Sequence, residues 1–224
     1  MIRGLAKGSR REKSTFSGGL ELLTLGEVTA IIKPDNALSL LTSWDLRDPF
    51  PALRASLRAF HVAMYAAEII QHMVTDADPH PLLFDALVEL LAAMSDREAI
   101  ERAALAFQWA TLVETGLRPE LDHDVATGEP LRTSKVVGFS PRLGGFTGVD
   151  CTSAPGQVWP VRRETLLALR AIAKRCASTA SIAPATTDRA NRLLASYLRE
   201  IIGRELPAQS CVFTDLASHA SRSR

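Results

Sequence analysis

Basic residues crowd the start of the chain. Five of them fall within residues 3–13, where only Glu12 opposes them and Gly8 and Ser9 lie between them. Lysine and arginine bind nucleic-acid phosphates whatever the base sequence, and glycine lets the backbone approach a phosphate chain closely. The pattern therefore predicts a phosphate-binding loop, although a basic run of this length is more often a solvated connection. We name these residues the N-terminal basic cluster: Arg3, Lys7, Arg10, Arg11 and Lys13.

Aromatic side chains that could stack on nucleic-acid bases are scarce in the same region, where the candidates are Phe16 and Trp44. Stacking contributes about 1–3 kcal/mol per base in proteins that bind single strands. Phe16 could equally be a core residue of a sheet. We therefore expect charge to dominate over stacking in any contact with nucleic acid.

Two segments near the C-terminus, "RRETLLALRAIAKRCA" and "TDRANRLLASYLREIIG", combine leucines at helical spacing with many arginines. The simpler interpretation is two amphipathic helices with solvated basic faces. The alternative is a groove with an apolar floor and a basic rim, which suits an acidic peptide with a hydrophobic end. The basic candidates are Arg162, Arg163, Arg170, Lys174, Arg175, Arg189, Arg192, Arg199 and Arg204, and the leucines are Leu166, Leu169, Leu193, Leu194 and Leu198.

One cluster hints at a catalytic metal: His72, Asp76, Asp78 and His80 in "HMVTDADPH". Aspartates in such a segment also form turns and caps, and no H-E-x-x-H motif accompanies them. The chain has no P-loop, G-x-S-x-G, kinase or dinucleotide-binding pattern. We therefore expect no metal, no cofactor and no catalytic residue, and predict that the protein is not an enzyme.

Composition narrows the class of protein further. The net charge is only +1, but it hides an acidic middle over residues 76–130 and a basic end over residues 131–224. No apolar run approaches the roughly 20 residues that cross a bilayer, and no signal peptide is evident. Cys151, Cys176 and Cys211 are too few and scattered for a disulfide framework, which indicates a reducing cytoplasm.

The pattern of elements predicts an α+β fold. Short apolar runs bounded by turn signals indicate a small sheet up to about residue 46. Apolar residues at steps of three and four then predict helices, interrupted by an irregular segment, 117–161, with a hairpin in "FSPRLGGFTGV". The first predicted helix has Leu53, Leu57, Phe60 and Met64 on one face and extends to Met73, and the second is "PLLFDALVELLAAM". The third begins with a capping box of Ser95 and Glu98 and is stopped by Gly116 and Pro119. The last helix ends at Gly203.

The order of these features resembles the RecO family of bacterial DNA repair proteins. The resemblance rests on "AKGSRREKSTFSGGLELLTLGE", "LRDPFPALRASLRAFHVAMYAAEII", "FSPRLGG" and "LLASYLREIIGRELPAQSCVF", which occur in the family's order and cover almost the whole chain. It implies an N-terminal OB-fold-like β region over residues 1–48, a helical domain over 49–215 with the insertion 117–161, and a mobile tail over 216–224.

The resemblance also implies a function. Family members bind single- and double-stranded DNA, anneal complementary strands, bind RecR and the tail of single-stranded-DNA-binding protein, and help to load RecA. They act in DNA recombination and DNA damage repair, in the cytoplasm at the nucleoid, without enzymatic activity. On this basis the N-terminal basic cluster becomes the expected DNA-binding site.

Two departures from the family pattern affect these expectations. A five-stranded OB barrel would need strands before Ile2, and only about three strands can be counted here. The barrel is therefore expected to be incomplete, either because the true start lies upstream or because the N-terminal domain is degraded.

The second departure concerns zinc. Many members carry two C-x-x-C pairs, whose positions correspond here to Asp124 with Thr127 and Gly148 with Cys151. One thiolate remains of four, and structural zinc sites need four ligands. We expect no metal and a hairpin held by packing alone.

Two alternatives to the mediator function remain at this point. The helical domain could be a protein-interaction scaffold in a chain that has lost DNA binding with the missing strands. More weakly, the segment from His72 to His80 could belong to a metal-dependent hydrolase.

Overall fold

The N-terminal sheet is organised around one long strand, β4 (Ser39–Asp48). The computed structural model describes residues 3–9, 15–17, 19–32, 38–75, 78–132, 134–148, 156–174 and 181–213. β3 (Leu25–Ile31) pairs antiparallel with nearly all of β4. β1 (Gly4–Ala6) and β2 (Phe16–Ser17) both pair parallel with β4. Because β3 occupies one edge of β4, β1 and β2 share the opposite edge.

This sheet stays open within the residues that the structure describes. β3, on one side, and β1 and β2, on the other, each pair with β4 alone. Leu5, Val28 and Ile31 remain exposed, whereas apolar side chains of a closed barrel would face each other inside it. The fold is thus the predicted one, an incomplete OB-like sheet followed by helices.

The first predicted helix is divided in two. α1 (Pro51–Ala55) is followed by the extended residue Ser56, at which α2 (Leu57–Met73) begins. The Ser56 hydroxyl accepts a hydrogen bond from Ala59 N at 3.3 Å, the usual role of an N-cap serine. The division arises because serine competes with the helix through its own side chain, a local effect that apolar spacing does not reveal.

The next two helices form an antiparallel pair, α3 (Pro81–Ala92) and α4 (Arg97–Glu114). Gly116, with φ of 71°, ends the second as predicted. The predicted capping box is wrong by one residue, because Asp96 is the N-cap and accepts from Ala99 N at 2.9 Å. Glu98 does not reach back, since it pairs with Arg102 one turn along at 3.2 Å.

Part of the irregular segment forms a second sheet. β5 (Val136–Ser140) and β6 (Gly145–Thr147) are the predicted hairpin. β7 (Trp159–Arg162) pairs antiparallel with the other edge of β5 and was not predicted. Its four residues include Pro160, which removes a backbone donor and is tolerated because β7 is an edge strand.

The C-terminal helices complete the core. α5 (Arg163–Ala173) and α6 (Pro184–Ile202) match the two predicted segments, and Gly203 follows the second with φ of 74°. A short helix, α7 (Pro207–Val212), packs on α2 and was missed by the sequence pattern. The proposed mobile tail, 216–224, lies outside the described residues.

Arg54 connects the sheet to the helices. Its guanidinium donates to the Glu21 carboxylate at 3.1 Å and to the Leu22 carbonyl at 3.3 Å, while Leu23 and Leu25 pack against the main core. The N-terminal sheet is therefore held on the helical part through its β3 side. Among the helices that the structure describes, none is long and apolar enough to span a bilayer.

Candidate functional site

Two members of the N-terminal basic cluster fall on described parts of the N-terminal sheet. Arg3 precedes β1 and is exposed, and its carbonyl accepts a hydrogen bond from Ser39 N at 2.9 Å. Lys7 is exposed in the turn after β1, where Gly8 has φ of 84°. This positive φ is the conformation that glycine supplies. Arg10, Arg11 and Lys13 lie outside the described residues.

A shallow cleft adjoins this turn. Its volume is ≈ 350 Å³, and its walls come from the turn and from β4. The ammonium group of Lys7 has no ion-pair partner in the described part of the chain. A positive charge beside an open backbone groove can neutralise phosphates without reading bases. The lining residues are Lys7, Gly8, Leu40, Leu41 and Thr42.

Two other described cations near the sheet are paired with carboxylates. Arg47 pairs with Glu27 at 2.9 Å and with Asp45 at 3.3 Å. The hydrogen bond to Glu27, together with the charges of both carboxylates, raises the pKa of Arg47 above its ordinary value. Arg54 is bound to Glu21. These two arginines are therefore less available to phosphates than the exposed Lys7.

The aromatic residues do not form a stacking platform. Phe16 is only 6% exposed and its backbone pairs with that of Trp44 on β4, so the core interpretation is correct. Trp44 lies over Gly26 of β3, where a Cβ atom would overlap its ring. Of the two aromatic candidates, Phe16 is thus buried and Trp44 is partly exposed.

The groove considered for the C-terminal helices does not form. Leu166, Leu169 and their counterparts on α6 are at most 1% exposed, because α5 and α6 pack these faces into the core. Arg170 turns inward and donates to the Leu121 carbonyl at 2.6 and 2.9 Å. The leucines are thus core residues of two amphipathic helices and leave no apolar floor, whereas Arg170 is not part of a solvated basic face. Arg175 lies outside the described residues.

A different cleft lies between the starts of α4 and α6, with a volume of ≈ 360 Å³. Ile182, Pro184 and Ala185 supply an apolar side. Arg102 and Arg192 on its rim are paired with carboxylates of their own helices, whereas Arg97 is exposed and has no ion pair within the described residues. The cleft therefore combines an apolar surface with three arginines and with the carboxylates of Glu98, Glu101 and Asp188, and Arg97 is its guanidinium without an ion pair in the described part of the chain.

The suspected metal cluster is not assembled. His80 lies next to Asp78, with 3.1 Å between Nε2 and Oδ2, and directly precedes α3. His72 is in the last turn of α2, and Asp76 is outside the described residues. Across the described ranges, no three His, Cys, Asp or Glu side chains are grouped so that they could hold a metal ion.

The residues at the corresponding zinc positions do not fit zinc either. Thr127 and Gly148 offer no thiolate, and Cys151 lies outside the described residues. Asp124 instead accepts hydrogen bonds from Thr147 Oγ1 at 2.8 Å and from Gly148 N at 2.9 Å. The expectation that packing alone holds the hairpin is therefore wrong, because this carboxylate binds the hairpin to the preceding loop.

Comparison with known proteins agrees with the fold. The family model described as "Recombination protein O C terminal" matches residues 54–210. This chain belongs to the RecO family. It is 30% identical to the DNA repair protein RecO of Rhodopirellula baltica over 99% of this chain and 82% of that protein. Similar RecO proteins occur in Anaeromyxobacter sp. strain Fw109-5 (30% identity, 93% and 82% coverage) and in Roseiflexus sp. strain RS-1 (29%, 95% and 75%).

Family membership confirms the resemblance and decides the class of protein. RecO proteins are recombination mediators and not enzymes, so this RecO-family chain is a DNA repair protein. The hydrolase alternative is set aside on that ground. The N-terminal sheet followed by helices agrees with the fold class that the resemblance implies.

Proposed function

We propose that this protein binds single- and double-stranded DNA through the N-terminal basic cluster and mediates recombinational repair. The observation that carries the proposal is Lys7, an exposed cation without an ion pair among the described residues, on the turn that borders the cleft of β4. Arg3 directly precedes β1, the strand that ends at this turn. Arg10, Arg11 and Lys13 lie outside the described residues, but they bring the number of positive charges within residues 3–13 to five.

The proposed mechanism is electrostatic and involves no covalent step. Neutralising phosphates on two strands lowers their mutual repulsion, and holding both on one surface raises their effective concentration for pairing. This supports annealing of complementary strands. Delivery of RecA to DNA, with RecR as a further partner, is proposed from family membership, and these activities place the protein at the nucleoid in the cytoplasm.

We further propose that the helical domain docks the acidic tail of single-stranded-DNA-binding protein. The cleft between α4 and α6 supports this, because its apolar side can bury a hydrophobic peptide end while Arg97 pairs with a carboxylate. A pull-down with the tail peptide tests it. Arg97→Glu should abolish capture, whereas Arg204→Glu, at another exposed arginine, should retain it. Equal capture by both variants would show that the peptide does not bind at Arg97.

DNA binding is tested by fluorescence anisotropy with a labelled single strand at low and moderate salt. Alanine at all five positions of the N-terminal basic cluster should weaken binding strongly. A matched control removes five exposed cations near the second sheet and should bind almost as the parent does. Its substitutions are Arg132→Ala, Lys135→Ala, Arg142→Ala, Arg162→Ala and Arg163→Ala.

A scaffold without DNA binding is the second candidate. It is favoured by the buried Phe16 and by the carboxylate partners of Arg47 and Arg54, which leave few described groups for nucleic acid. Absence of binding even at low salt, with the tail peptide still captured, would support it. Under either function we propose a division between a 1–48 region and a 49–215 domain, joined through Arg54.

A further inference from the structure

A loop over residues 120–131 lies along the hairpin of β5 and β6. Glu120 N donates to the Gly144 carbonyl at 2.9 Å, and Phe146 N donates back to the Glu120 carbonyl at 3.1 Å. Val125 N also donates to the Phe146 carbonyl at 2.9 Å. The loop therefore runs beside β6 like a further strand, and we name residues 120–131 the clasp.

Asp124 is the centre of this clasp. Its Oδ1 accepts from Ala126 N at 2.9 Å and from Thr147 Oγ1 at 2.8 Å, while Oδ2 accepts from Gly148 N at 2.9 Å. One carboxylate thus holds both its own turn and the end of β6, 23 and 24 residues away along the chain. Hydrogen bonds that end on an ionised group are stronger than neutral ones.

The ionised form of Asp124 is favoured by these contacts. Burial raises the pKa of its carboxyl, but the hydrogen bonds from Ala126, Thr147 and Gly148 outweigh burial and hold the pKa below its ordinary value. Two other carboxylates of the clasp have partners of their own, and one of them, Asp122, pairs with Arg170 at 3.0 Å. Glu120 Oε1 accepts from Asp122 N and His123 N.

The position of Gly148 relates the hydrogen bonds of Asp124, which we name the Asp124 hub, to a metal site. A Cβ atom added at Gly148 would lie 3.9 Å from Asp124 Oδ2, which is its one contact within 4 Å among the described residues. Side chains at 124 and 148 would therefore face each other across the clasp. These are the first positions of the two pairs, 124 with 127 and 148 with 151, at which two C-x-x-C motifs would supply four thiolates.

We propose that the Asp124 carboxylate cross-links the clasp to the β5–β6 hairpin in the place that a bound zinc ion would take, so that the helical domain folds without metal. Zinc joins two turns by coordinating thiolates from both. Asp124 joins its own turn to the end of β6 by accepting hydrogen bonds from both. The donors at the end of β6 are the Thr147 hydroxyl and the Gly148 backbone N–H.

Two substitutions test the hub. Asp124→Asn keeps the shape but removes the charge and one oxygen acceptor, and should lower the unfolding temperature by roughly 4–8 °C. Glu129→Gln makes the same chemical change at an exposed residue of the clasp whose side chain has no ion-pair or hydrogen-bond partner among the described residues, and should leave it unchanged. Equal unfolding temperatures for the two variants would overturn the proposal.

The metal side of the proposal is tested on the protein itself and on a graft. Purified protein should contain no stoichiometric zinc, and EDTA should not shift its unfolding temperature. The variant D124C/T127C/G148C, which completes two pairs with the native Cys151, should bind one zinc per chain and become sensitive to EDTA. One equivalent of zinc in the parent protein, or a graft prepared with zinc that binds none, would contradict the proposal. Neither measurement involves DNA, so the result is independent of the proposed function.

Discussion

Gln108 and Asn191 join the two longest helices of the core through their side-chain amides. Gln108 Nε2 donates to Asn191 Oδ1 at 2.8 Å, and both residues have 0% exposure. Tyr65 Oη donates to Gln108 Oε1 at 3.1 Å, and Asn191 Nδ2 donates to the Glu101 carbonyl at 2.8 Å. Buried polar groups need such partners, so this chain of amides sets the register of α2, α4 and α6.

Replacing Asn191 with alanine should lower the free energy of unfolding by about 1–3 kcal/mol, because it leaves the buried Gln108 Nε2 without the acceptor that Asn191 Oδ1 supplies. Urea unfolding followed by circular dichroism measures the change. The neighbouring substitution Arg192→Ala breaks only a half-exposed pair with Asp188 and should cost less than about 0.5 kcal/mol. If both variants unfold at the same urea concentration, the amide chain does not stabilise the core.

The N-cap of α4 gives a second prediction. Asp96→Ala should lower the unfolding temperature more than Ser95→Ala, because Asp96 accepts the hydrogen bond from Ala99 N while Ser95 only donates to Asp96. Thermal unfolding of the two variants distinguishes this cap from the capping box that the sequence predicts. A larger effect of Ser95→Ala would show that Ser95 caps the helix, as the capping-box prediction states.

Stability should fall in acid partly through Asp124. The folded-state pKa of this carboxyl is lowered, while the unfolded-state value is about 3.9. Its stabilisation is therefore complete above the unfolded-state pKa and is lost as the pH falls through the folded-state value. Urea midpoints measured from pH 7 downward should converge for the parent and Asp124→Asn.

Both proteins should still lose stability in acid after their urea midpoints have converged. Glu120 also has a lowered pKa, chiefly because its carboxylate accepts a hydrogen bond from Asp122 N, and it remains in both proteins. The difference between the two pH profiles isolates Asp124. A difference that stays constant down to the lowest pH would mean that its ionisation does not contribute.

DNA binding should depend on salt in proportion to the charges of the N-terminal basic cluster. Each phosphate neutralised on a single strand contributes about 0.7 to the slope of log affinity against log salt. Alanine at all five positions should reduce that slope by up to about 3.5. Anisotropy titrations over a salt series give the slope directly, and a weaker affinity with an unchanged slope would indicate that these cations do not touch phosphates.

Close packing in the N-terminal sheet gives the last prediction. A Cβ on Gly26 would overlap the Trp44 ring and the Asp45 carbonyl, so Gly26→Ala should push β3 from β4. Amide hydrogen exchange should speed up in these strands and stay unchanged in α4 and α6. Val28→Ala, at an exposed position of the same strand, is the control, and protection equal to that of the control would show that the sheet absorbs the methyl group.

Local signals in the amino-acid sequence determine much of this protein. The apolar period of α3 and α4, Gly116 at the helix end and the hairpin of β5 and β6 each depend on residues a few positions apart. The motif order was sufficient to indicate the RecO family. The excess of cations near the start is likewise a property of composition, so the sequence alone reveals it.

Only the tertiary structure decided which side chains remain exposed for binding and which are buried or paired inside the protein. Leu166 and Leu169 have the same spacing on a groove floor or in a core, and packing against α6 assigned them to the core. Arg170 forms a hydrogen bond with Leu121, 49 residues away in the sequence, and Asp124 forms one with Thr147, 23 residues away. Spacing along a chain specifies which residues share a face, whereas the partner of that face depends on how distant segments fold together, which no local pattern records.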